Sequence, residues 1–155
     1  MKIKHLILLV TFSVATTSWS QWTVKSVDNK IDLPYKIAYC PDKSGSVFLK
    51  LERVDTSLAF YLTGGYHCDN YPTVEMGLTV KGQTKRYSVT GVKSDNFKTV
   101  FFLDDILAEA NSEFLADFKS CSSMALRINE SYCTPDYHTF NMSGSSKAIE
   151  DMSKP

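Results

Sequence analysis

The chain has 155 residues, with 17 Lys and Arg balanced by 17 Asp and Glu. Such a balance gives no field to steer it to nucleic acid or to an anionic membrane surface, and the length is one domain's worth. Cys133 and His138 have plausible metal-ligand spacing and His67-Cys68 could supply the other pair, but the spacing within His67-Cys68 is wrong for a usual structural zinc site.

The first twenty residues divide into three zones. Met1-Lys2-Ile3-Lys4 is a short basic start, Leu6 to Val14 is apolar apart from Thr11 and Ser13, and Thr16-Thr17-Ser18-Trp19-Ser20 is small and polar. This is the layout of a secretory signal and is too short for a membrane span. Residues 1–20 are therefore expected to be removed, leaving 21–155 as a single extracytoplasmic β-rich domain, periplasmic or secreted. Without Lys2 and Lys4 the remainder carries 15 basic and 17 acidic side chains, a formal charge of −2. No cysteine lies near the cut to take a lipid, and no later segment is long and apolar enough to span a bilayer.

Strand signals then follow one another. Trp22 to Val27 alternates, and Asp28-Asn29 is a turn pair. Tyr35 to Cys40 alternates again after Pro34. Val47 to Val54 sets Val47, Leu49 and Leu51 against Lys50 and Glu52, and Ser57 to Thr63 is closed by Gly64-Gly65. Thr73 to Val80 has the clearest period of two, with Val74, Met76, Leu78 and Val80 on one face. Lys81-Gly82-Gln83 turns it into Lys85 to Thr90 as a hairpin. After Phe97 to Leu103 the spacing becomes helical. Over 104–119, Ile106, Leu107, Ala110, Phe114, Leu115 and Phe118 share one face, and Asn111-Ser112 is the place where that helix would break. Met124 to Asn129 and Asp136 to Met142 read as strands. Ser143 is expected to cap a short last helix from Ser145. Seven or so short strands, an internal helix at about 104–119 and a C-terminal helix predict a mostly β, α+β, β-sandwich-like domain.

The even count of Cys40, Cys68, Cys121 and Cys133 in an exported chain predicts disulfides. Three connectivities exist. Pairing of neighbours, Cys40–Cys68 and Cys121–Cys133, is favoured, each bond stabilising by roughly 3 kcal/mol through its short loop. Oxidised cysteines are not metal ligands, so no metal and no cofactor are expected. His67-Cys68-Asp69 are consecutive, and consecutive residues of an extended chain point to opposite sides, so the triplet is no ready-made catalytic dyad. No Gly-x-Ser-x-Gly elbow occurs, and the acidic pairs Asp104-Asp105 and Glu150-Asp151 fall at helix ends, where capping explains them. No catalytic residue is assigned. The binding candidates are Tyr66, His67, Asn70 and Tyr71. They surround Cys68 after a flexible Gly-Gly pair, and such loops offer contact area at low entropy cost.

One resemblance is carried by the last third. Phe114-Leu115 and Phe118-Lys119 lead to Cys121, then Met124-Ala125-Leu126-Arg127-Ile128, then Cys133, then Phe140-Asn141-Met142-Ser143-Gly144-Ser145-Ser146-Lys147-Ala148-Ile149. This order resembles the carboxyl half of the VasI/TagO-like proteins associated with bacterial type VI secretion, and related small exported domains of Gram-negative bacteria. Asn141 stands where that pattern has an acidic residue, and Ser145 where it has an apolar one. The resemblance implies an accessory or binding role and carries over no active site. The expected function is thus a non-enzymatic periplasmic binding or accessory protein whose partner is another envelope protein. The alternatives are an inhibitor or immunity protein against an envelope-targeting enzyme, and a small hydrolase of unrecognised site.

Overall fold

The computed structural model describes residues 22–28, 35–54, 57–103 and 112–154. Nine strands run through these residues: β1 (Thr23–Val27), β2 (Tyr35–Pro41), β3 (Phe48–Val54), β4 (Ser57–Thr63), β5 (Thr73–Val80), β6 (Gln83–Lys93), β7 (Thr99–Leu103), β8 (Ser123–Asn129) and β9 (Asp136–Asn141). Helix α1 (Glu113–Ser120) precedes β8, and α2 (Ser145–Ser153) follows β9. The described residues are mostly β with two short helices, as the alternating segments require. All nine strands join one antiparallel sheet in the order β1-β2-β3-β4-β7-β6-β5-β8-β9. The layer packed on its inner face is helical and not a second sheet.

Alternation decides which side chains face that layer. Leu49, Leu51, Phe60, Leu62, Val74, Met76, Leu78, Met124, Leu126, Ile128 and Phe140 are buried, while their sequence neighbours point outward. Helix α1 adds Phe114, Leu115 and Phe118. Phe60 packs edge-on to both phenylalanines, with ring centroids 5.5 Å from Phe114 and 5.3 Å from Phe118. Helix α2 buries Ala148, Ile149 and Met152. Ser145 Oγ donates to the Phe118 carbonyl at 3.0 Å, tying the start of α2 to the end of α1.

The sheet curls until its far strands meet. Asp42, just beyond β2, bridges to Phe140 of β9, and the Lys43 amide donates to the Thr139 carbonyl at 2.9 Å. This seam leaves the β9 edge partly covered, one of the ways an edge strand avoids unwanted pairing.

Several sequence expectations are corrected at their ends. Ser112 does not merely interrupt the expected helix: its hydroxyl accepts from the Leu115 amide at 3.1 Å and so caps α1. The part of that expectation covering 104–111 lies outside the described residues. Ser143 does not cap α2. Gly144 holds that position at φ 92° with no side-chain bond, and Asn141 Oδ1 accepts from the Ser143 amide instead. Strand β6 runs to Lys93, past the expected end at Thr90, because its second half pairs with β7.

Candidate functional site

The antiparallel pairing of β5 with β8 sets Thr73 opposite Asn129. Residues shortly before Thr73 and shortly after Asn129 must therefore meet at one end of the sheet. There Cys68 and Cys133 form a disulfide, with Cα atoms 6.3 Å apart. The expected pairs Cys40–Cys68 and Cys121–Cys133 do not form. Cys121 and Cys133 lie at opposite ends of β8, roughly 20 Å apart at 3.3 Å per residue. Cys40 points into the core near the end of β9, its sulfur 3.4 Å from the Asn141 carbonyl, whereas Cys68 lies beside the loop that precedes that strand. Cys40 and Cys121 are buried, and burial pushes their thiols up to about 12 and about 11.

The loop 64–72 is held from several sides. Gly64 (φ 105°) and Gly65 (φ 76°) take conformations that disfavour other residues, and a Cβ on Gly64 would lie 2.5 Å from the Ser46 carbonyl oxygen. The Gly64 and His67 amides donate to the Lys98 and Phe97 carbonyls at 2.8 and 2.9 Å. Asp69 joins the two stapled loops a second time, accepting from Tyr71 N at 3.2 Å and from Ser131 N at 3.1 Å. Those bonds, the Ser131 amide foremost, hold its carboxyl below the ordinary value.

On this frame Tyr66, Asn70 and Tyr71 are exposed. Tyr66 stacks on Phe97 with ring centroids 5.9 Å apart and planes within 10°. Lys93 Nζ sits 4.0 Å from the Phe97 ring centre. Tyr132, from the other stapled loop, is 85% exposed. Neither Phe97 nor Tyr132 stands out by composition: the Gly64 and His67 amides tie the β6–β7 turn carrying Phe97 to this end, and the β5–β8 register and the disulfide bring Tyr132.

His67 is a correction. It does not project with the tyrosines but is 0% exposed. Its Nδ1 lies 3.3 Å from Glu130 Oε1, and neither ring nitrogen has a hydrogen-bond partner of good geometry. The other oxygen of Glu130 accepts from the Cys68 amide at 3.3 Å and lies 3.0 Å from Cys68 Sγ. His67 and Cys68, though consecutive, thus converge on one carboxylate, because the loop here is irregular and does not alternate as a strand would. Glu130, which no sequence motif marked, is the centre of the group.

A second polar cluster lies at the seam. His138 is buried with Nδ1 3.2 Å from Asp42 Oδ2 and Nε2 3.1 Å from Asp136 Oδ2. Ser44 Oγ donates to Asp42 at 2.7 Å. The carboxylate therefore stands between hydroxyl and imidazole, the reverse of the order that a Ser-His-Asp relay needs. On the outer face of the sheet, Glu75, Gly77, Ser88, Arg127, Tyr137 and Thr139 line an open groove of about 540 Å³.

No helix among the described residues is long and apolar enough to cross a membrane. No family model, curated protein or solved structure matches the chain.

Proposed function

We propose that this chain is an extracytoplasmic, non-catalytic binding or accessory protein that docks a protein partner of the bacterial envelope through its stapled aromatic edge. One observation carries the reading: the Cys68–Cys133 bond joins two loops that both present exposed tyrosines, Tyr66 and Tyr71 on one and Tyr132 on the other. An exposed aromatic edge already pinned by a disulfide and by the two hydrogen bonds of Asp69 loses little freedom on docking. Tyrosines on such a frame are the usual anchors of protein interfaces. The disulfide supports an oxidising compartment. The order of segments in the last third supports a type VI secretion-associated accessory role, and an inhibitor of an envelope enzyme would use the same edge.

The test is site-specific photocrosslinking in an envelope preparation, with the probe at Tyr71 or Tyr132 and a control probe at exposed Lys119 of α1. A partner trapped from the edge positions and not from the control is expected. Replacing Tyr66 and Tyr71 together by Ala should then weaken binding of that purified partner by about 1–3 kcal/mol, with the melting temperature little changed. Unchanged affinity in the double variant defeats the proposal.

A further inference from the structure

The buried group behind the tyrosines has more ligand chemistry than a structural disulfide requires. Cys68 Sγ, Cys133 Sγ and a Glu130 carboxylate oxygen all lie within 4.8 Å of one another. The His67 imidazole reaches the same carboxylate from its other side at 3.3 Å. Glu130 is only 3% exposed at its side chain and His67 0%. Glu130 Oε1 and both His67 nitrogens lack hydrogen-bond partners. Buried acceptors and imidazole nitrogens left in this way are costly unless a cation or a donor answers them. In the oxidised protein His67 Nδ1 faces Glu130 Oε1 at 3.3 Å, without hydrogen-bond geometry.

We propose that reduction of the Cys68–Cys133 bond converts this group into a site for a zinc-class divalent cation, with Cys68, Cys133 and Glu130 as ligands and His67 holding the Glu130 carboxylate from its other oxygen. A dithiol donor supplies two electrons and two protons. The sulfur–sulfur bond breaks to two thiols, and the donor becomes its own disulfide. The cation then displaces the two thiol protons to solvent and is held by two thiolates and one carboxylate oxygen. Two thiolates with one oxygen donor suit zinc with its fourth tetrahedral position open to solvent. Bond lengths of about 2.3 Å to sulfur and about 2.0–2.2 Å to oxygen place ligand atoms about 3.5–3.8 Å apart. The three ligand atoms lie within 4.8 Å of one another, Cys68 Sγ at 3.0 Å from Glu130 Oε2, and both sulfurs sit in irregular loops that can let them separate. His138 is not part of this site, since both its nitrogens face Asp42 and Asp136. The site would make the tyrosine-bearing edge answer to redox state, with one crosslink exchanged for another.

The experiment titrates the mature chain with Co²⁺ and Zn²⁺ alone, oxidised and after reduction by a phosphine. The phosphine becomes its oxide, taking oxygen from water and leaving two protons on the thiols. The reduced chain is expected to give a near-ultraviolet thiolate-to-cobalt band and tetrahedral visible bands at one equivalent, and to bind Zn²⁺ at least ~100-fold more tightly than the oxidised chain. Glu130→Gln and His67→Ala should each weaken Zn²⁺ binding by at least ~10-fold, whereas Cys121→Ser should leave it unchanged. Absence of the thiolate band in the reduced chain overturns the proposal, as does full affinity in both the Glu130 and His67 variants. If the reduced chain unfolds without metal, the same titration is followed by far-ultraviolet circular dichroism. Refolding at one equivalent of Zn²⁺ supports the site, and no recovery overturns it.

Discussion

At the residue scale the four cysteines separate into two kinds by position alone. Cys68 and Cys133 sit in irregular loops at one end of the sheet, while Cys40 faces the core from β2 and Cys121 follows the last turn of α1. A thiol must ionise to react, and burial raises Cys40 to about 12 and Cys121 to about 11, so neither is nucleophilic near neutral pH. Iodoacetamide is therefore expected to leave both unmodified in the native protein and to alkylate them after denaturation. Non-reducing peptide mapping should recover Cys68 linked to Cys133. Recovery of a Cys121–Cys133 peptide would refute the pairing. That pairing was not legible beforehand, because it depends on β5 and β8 being neighbours although about forty residues of chain intervene, and nothing in either strand's own alternation names its partner. His67 escaped for a related reason. Its neighbours are exposed, and only the fold shows it turned inward to Glu130.

At the element scale, the period-2 segments were legible because one face of each strand is buried and a register slip would expose it. Val74, Met76 and Leu78 alternate with the outward-facing residues of β5 just as the sequence pattern requires. Helix α1 is held less by its own propensity than by its cap and its aromatic face, since eight residues are too few for a helix in isolation. Replacing Ser112 by Ala removes the hydroxyl that accepts from Leu115 and should cost about 0.5–2 kcal/mol. Replacing Phe118 by Ala removes a fully buried ring that touches Phe60, Phe114 and Trp22, and should cost about 3–5 kcal/mol. Urea unfolding of both variants measures these differences. A Phe118 variant no weaker than the Ser112 variant would show that α1 does not anchor the core. The expected face for this helix was right in Phe114, Leu115 and Phe118. Its cap is less legible because Asn111-Ser112 signals a break as well as a start, although Ser followed by Glu and an apolar run is a start signal.

At the scale of the whole molecule, closure of the curled sheet rests on a small polar device. Asp42 accepts from Ser44 Oγ and stands 3.2 Å from His138 Nδ1, while His138 Nε2 faces Asp136 Oδ2 at 3.1 Å without hydrogen-bond geometry. The Asp42–His138 contact fastens the turn after β2 to β9 beside the Asp42–Phe140 bridge. Burial alone would push the Asp42 carboxyl up, but hydrogen bonds from Ser44, His138 and the Val47 and Gly45 amides outweigh it and leave the carboxyl below its ordinary value of 3.8. A carboxyl depressed on folding contributes stability that is fully present above its unfolded value and is lost as pH falls through the folded value. Replacing Asp42 by Asn keeps the shape and removes the charge. It should cost about 1.5–3 kcal/mol, the range for hydrogen bonds to a charged group. That cost should be constant above about pH 5 and shrink as the wild-type carboxylate is protonated at lower pH. Denaturant unfolding of both proteins from about pH 6 down to the acid limit of folding measures the gap. A gap that stays constant into acid, or that widens there, would mean that the Asp42 charge does not hold the seam and that the backbone bridge to Phe140 closes the sheet alone.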